Sequence, residues 1–141
     1  MNISKFLIIG LTLLAAIGHA VPALPEVPFK ITSQEFEAGD EIIIESVFAT
    51  SPELKIGDTV VVRGRYRLAT RQSAMLGFFL TTNGPSEGTP VSPRQRADIK
   101  AGEGTFVMEH VVPALGRLHV SFYGAPRGGS FGEIYFGPAK R

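Results

Sequence analysis

The chain has 141 residues, 44% of them hydrophobic, with 14 basic residues against 13 acidic ones and no cysteine. This near balance of charge gives no electrostatic footprint for nucleic acid, and the lack of cysteine excludes disulfide staples and a cysteine-linked lipid anchor. The length suits one two-layer core, whose stability must come from packing.

Residues 1–20 read as a secretory signal peptide. Lys5 gives the positive start, Phe6 to Ile17 is an apolar run, and Gly18-His19-Ala20 supplies small residues before a cut at Val21. The apolar run is shorter than the roughly 20 residues that span a bilayer. The expected location is therefore outside the cytoplasm, periplasmic or extracellular, with no membrane insertion after cleavage. Loss of Lys5 leaves the bases and acids in balance. Residues 21–28 carry a proline at every third position and read as a stiff leader. Residues 29–138 read as a single domain.

Phe29 to Phe36 is expected as an edge strand, and Glu41 to Phe48 as a second strand rich in β-branched residues. The strand from Val60 to Leu68 alternates most clearly. Val60, Val62, Gly64, Tyr66 and Leu68 point one way; Val61, Arg63, Arg65 and Arg67 point the other. Ser73 to Thr82 is apolar on both faces and predicts a strand with its second face covered. Asn83 to Pro93 consists of turn formers and predicts a long loop. Arg96 to Lys100 reads as a short strand, Gly102-Glu103-Gly104 as a turn, and Thr105 to Val112 as a strand. Arg117 to Tyr123 alternates, with Leu118, Val120 and Phe122 inward. Ser130 to Phe136 closes the domain after a turn at Pro126 to Gly129. No helix capping signal precedes a helical-period run in the mature chain. The expected fold is all-β: an antiparallel two-sheet β-sandwich of seven or eight strands, immunoglobulin-like or jelly-roll-like, behind the signal peptide. An outer-membrane barrel is disfavoured, because most strands fall short of the roughly 9–11 residues such a barrel needs.

Two constellations stand out as candidate binding sites. Arg117, His119, Ser121 and Tyr123 share the outward face of one strand and form a candidate ligand platform, with Tyr123 to stack and Arg117 and His119 to donate hydrogen bonds. Arg63, Arg65 and Arg67 form a one-sided ladder at roughly 6.6–6.8 Å spacing, suited to bidentate carboxylate contacts. Either an anionic partner meets that stripe or a neighbouring strand supplies the acids, with Glu45 a candidate. Gly128-Gly-Ser-Phe-Gly132 matches G-x-S-x-G without the strand-to-helix turn, or the acid and histidine after the serine, that a nucleophile elbow requires. An order Asp98, His110 or His119, Ser130 exists, but triads are defined by geometry. No metal site and no cofactor are assigned. Glu37, Asp40 and Glu41 lack the alternating pattern of a calcium loop, and His110 falls on a core face with Phe106 and Met108.

The expected function is a non-catalytic exported binding module for a glycan, a surface polymer or a protein, acting through a sheet face or the Asn83–Pro93 loop. Nucleic acid is not among the expected partners. An envelope assembly subunit pairing through edge strands is the alternative, and a small hydrolase using His119 or His110 is a further one.

Overall fold

A computed structural model describes residues 23–82, 91–124 and 128–140. The expected signal peptide, most of the Asn83–Pro93 loop and part of the Pro126–Gly129 turn lie outside the described residues. The described chain is all-β, with strands β1 (Glu26–Val27), β2 (Phe29–Phe36), β3 (Glu41–Ala49), β4 (Thr59–Thr82), β5 (Arg96–Val111), β6 (Gly116–Tyr123) and β7 (Ser130–Pro138), and one short 3-10 turn at Pro93–Gln95. All pairings are antiparallel.

Two expected strands, Val60 to Leu68 and Ser73 to Thr82, are one strand of 24 residues. Its partner β5 is likewise continuous, so Gly102-Glu103-Gly104 is part of a strand rather than a turn. The reason lies in a large bulge: four residues, 69–72, stand opposite the single Ala101 between the Leu68–Gly102 and Ser73–Lys100 pairs. A bulge bends and twists its strand. Gly102 takes φ +111 at that point, a conformation that glycine adopts without penalty. Asp40 fixes the bulge from the β2–β3 turn. Its carboxylate accepts from the Ala69 and Thr70 amides at 2.7 and 3.0 Å and from the Thr70 hydroxyl at 2.6 Å.

Before the bend, β4 runs between β3 and β5; after it, between β6 and β5. The hydrogen-bonded order is β1-β3-β4-β6-β7-β2, with β5 beside β4. Two separate sheets therefore give way to one continuous, nearly closed, barrel-like sheet, because the bent β4 belongs to both halves. The expected leader is partly drawn in as well: Val27 is buried and pairs with Val47.

The inward faces meet as expected. Val60, Val62, Leu68, Leu76, Phe78, Val120 and Phe122 are all almost completely buried, and each large side chain so buried contributes roughly 1.5–3 kcal/mol. Gly64 lets strands and rings close up. A Cβ there would stand 2.0 Å from the Ile43 carbonyl oxygen and 2.8 Å from the Phe106 ring. His110 lies in this core, edge-on to Phe78 at 5.6 Å, and burial lowers its pKa. The result is a cup. Its closed end is the β4–β5 corner held by Asp40. At the other end lie the start of β2, the β3–β4 and β5–β6 connections, and the end of β7.

Candidate functional site

The arginine ladder points outward, and the neighbouring strands supply its acids. Arg65 pairs with Glu45 of β3 at 3.2 Å; Arg67 reaches Glu103 of β5 at 3.1 Å and Glu41 at 4.0 Å. Arg63 lies 5.9 Å from the centre of the Phe48 ring. A shallow groove of about 270 Å³ runs between Ile43, Arg65, Arg67, Glu103 and Thr105. Its charges cancel locally, and exposed pairs of this kind contribute about 0–1 kcal/mol each.

The second constellation is brought together but is not a wet platform. Both faces of β6 are covered: His119 is 5% exposed and Ser121 is 0% exposed. The outward face of β6 lies between β4 and β7, with Phe79 opposite His119 on one side and Tyr135 opposite it on the other. The His119 ring lies 4.9 Å from Tyr135 and 6.4 Å from Phe79. Phe79 folds back over Gly77, where a Cβ would collide with the ring at 2.2 Å, and Gly77 faces Ser121. Of the two donors expected on this face, Arg117 and His119, rings from two neighbouring strands cover His119, and Ser121 is covered with it. Tyr123 meets Phe79 edge-on at 5.5 Å, and the Arg117 guanidinium lies 4.1 Å from the centre of the Tyr135 ring.

His119 Nδ1 and Ser121 Oγ share a hydrogen bond of 2.7 Å. Burial, with smaller contributions from Arg117 and His110, lowers the His119 pKa to about 4, so the ring is neutral at pH 7. Burial raises the Tyr123 phenol. The Asp98–His–Ser130 order does not assemble: the serine beside His119 is Ser121, whereas Ser130 stands opposite Tyr123 on β7. The oxygens considered for calcium have protein partners, Asp40 at the bulge and Glu37 with Arg71 at 2.8 Å. Among the described residues no cluster of metal ligands occurs.

The surface that sequence reasoning missed is the open end of the cup. Here a cavity of about 370 Å³ is lined by Leu54, Ile56, Leu80, Leu115, Leu118 and Phe136, with Lys30, Lys55 and Arg117 among them. No acid belongs to its described lining; Glu53 stands exposed in the adjoining loop. Ile56 and Leu115 are 53% and 79% exposed, so core-like side chains continue out to solvent here. Leu54 is buried at φ +49, a left-handed conformation that costs a bulky residue about 1–2 kcal/mol. Asp58 braces that loop by accepting from the Ser51 hydroxyl and the Lys55 amide at 2.5 and 2.9 Å. Strain held by such a brace is typical of binding sites. The signal available in the sequence was slight: Lys55-Ile56 and Leu115-Gly116-Arg117, apolar and basic residues side by side in two connections.

No family model matches the chain, and no curated protein or solved structure is significantly similar to it.

Proposed function

We propose that this chain is a non-catalytic binding domain, exported by its first twenty residues, whose ligand-accepting surface is the open end of the barrel-like cup. The observation that carries this reading is the cavity of about 370 Å³, where apolar walls, three cations and a strained, braced leucine coincide. Ligand sites are concave, largely apolar and marked by a few convergent polar groups. Catalysis finds less support. Ser121 has no solvent access, and a histidine with its pKa near 4 is a weak base at neutral pH.

The test is amide chemical-shift mapping of the purified protein against a panel of glycans, anionic surface polymers and amphiphiles. Convergent shifts at Leu54–Ile56 and Val112–Leu118 are expected. Shifts confined to the arginine ladder, or none at millimolar ligand, would refute the reading.

The edge-strand alternative has one observation in its favour. Lys30 to Glu35 of β2 are all exposed, and among the described residues β2 is bonded only to β7. Open edges template pairing with another chain. A concentration-independent monomer in sedimentation removes that reading.

A further inference from the structure

We infer that the open end binds a single-chain amphiphile with a carboxylate head, the alkyl chain in the cavity and the head between Lys30, Lys55 and Arg117. This rests on the binding-domain reading and names its ligand.

The cavity sets the size. About 370 Å³ lies near the small end of ligand pockets, roughly 300–1,000 Å³. That suits one medium-length chain and not a two-chain lipid. Its accessible apolar surface comes from the half-buried Leu80 and the exposed Ile56 and Leu115, above the buried Leu118 and Phe136, so the part of the ligand held against them is apolar.

The rim sets the charge. Its cations come from three separate segments, β2, the β3–β4 connection and β6, and no acid belongs to its described lining; Lys55 Nζ also donates to the Ser51 hydroxyl at 3.3 Å. The ladder arginines offer a contrast, since Glu45 and Glu103 already engage two of them. Arg117 is also oriented in advance. Its guanidinium lies 4.1 Å from the centre of the Tyr135 ring, on the outer face of β6 and β7, opposite the inward Leu118 and Phe136. A guanidinium held over a ring keeps its in-plane N–H groups free for a carboxylate. Preorganised donors lose less freedom on binding.

Leu115 provides a clean test. It lines the cavity and is 79% exposed, so it carries little of the core packing. Leu115→Glu should therefore replace apolar ligand surface by a like charge without disturbing the fold. Calorimetric titration of the purified protein with decanoate should give saturable one-to-one binding. Decanol should bind at least tenfold more weakly, decyltrimethylammonium and acetate not detectably. Each methylene added from hexanoate upward should raise affinity about threefold to fourfold until the cavity is full. Leu115→Glu should abolish decanoate binding at an unchanged melting temperature. Lys30→Ala, at an exposed position, should weaken decanoate and leave decanol unaffected.

Equal affinity for decanol and decanoate would overturn the head-group assignment. Undiminished binding to a natively melting Leu115→Glu would overturn the placement; were that variant to misfold, the Lys30→Ala comparison and the chain-length series decide. Binding to phosphatidylglycerol vesicles without binding to free decanoate would replace the single chain by a membrane surface. A panel ligand of another class mapping to the same end would sink the carboxylate ligand and leave the binding-domain reading standing.

Discussion

The neutral, buried His119 makes stability depend on pH in a defined window. Its folded-state pKa is lowered to about 4 from an ordinary 6.5, chiefly by burial. The unfolded chain therefore takes up a proton as pH falls through 6.5, while the folded chain does not until near pH 4. Stability from this group is fully present above 6.5 and is lost between 6.5 and 4. The span corresponds to about 3 kcal/mol by pH 4. His110, also lowered by burial, adds loss in the same direction.

The matched control is His119→Phe combined with Ser121→Ala. It keeps a ring against Tyr135 and Phe79 and removes both partners of the 2.7 Å bond; the Tyr123 phenol, which also bonds to Ser121, loses that partner equally at every pH tested. Urea unfolding of both proteins at pH 7, 6, 5 and 4 should show the unmodified chain losing about 3 kcal/mol more than the control across the range. The His119 ring signals in NMR should titrate near pH 4. Equal pH slopes for the two proteins, or a His119 midpoint at 6 or above, would refute the burial argument.

Three further outcomes follow from the same geometry. Asp40→Ala removes the acceptor for two amides and a hydroxyl at the β4 bulge, and should cost about 2 kcal/mol in urea unfolding. Asp40→Asn, which retains one carbonyl acceptor, should cost less. Gly64→Ala drives a methyl group against the Ile43 carbonyl and should cost about 3 kcal/mol, with loss of cooperativity if the strands separate. Arg67→Ala, although it removes contacts to Glu41 and Glu103, should change stability by less than about 1 kcal/mol, because the Arg67 side chain is 51% exposed and the pairs are screened. A loss above 2 kcal/mol for Arg67→Ala would mean that the ladder is structural in a way its exposure does not suggest.

Strand identity was legible wherever one face is apolar and the other charged. Val60 to Leu68 shows this best: the valines are buried and Arg63, Arg65 and Arg67 are exposed, as period-two alternation requires. Ser73 to Thr82, apolar on both faces, also behaved as expected, since Phe79 packs outward on the β6 face. β6 itself was misread, for a non-local reason. Arg117, His119, Ser121 and Tyr123 look solvated in sequence, and rings contributed by β4 and β7 bury the middle two. The Ala69–Gln72 break was hidden in the same way. These four residues, between two expected strands, form a bulge whose donors are answered by an aspartate roughly thirty residues earlier. The cavity at the open end draws on four strands and two connections, so no local pattern could have announced it.

The two Gly-Asp turns use one device at opposite ends of the cup. Gly39 and Gly57 take φ +92 and +89, and the aspartate after each is buried and accepts from neighbouring donors. At the closed end this fixes the bulge. At the open end it fixes a loop that holds Leu54 left-handed against the cavity. The consequence is an inverted mutational order at Leu54. At an ordinary buried leucine, alanine costs about 2–5 kcal/mol and glycine costs more still. Here Leu54→Ala loses the burial and keeps the backbone strain, whereas Leu54→Gly loses the burial and relieves roughly 1 kcal/mol of strain. Leu54→Gly should therefore be the more stable of the two by about 1 kcal/mol in urea unfolding, with decanoate binding weakened in both through loss of the cavity wall. The reverse order, with alanine the milder change, would show that the loop does not hold Leu54 in the left-handed region and would remove the strain from the case for a binding site at this end.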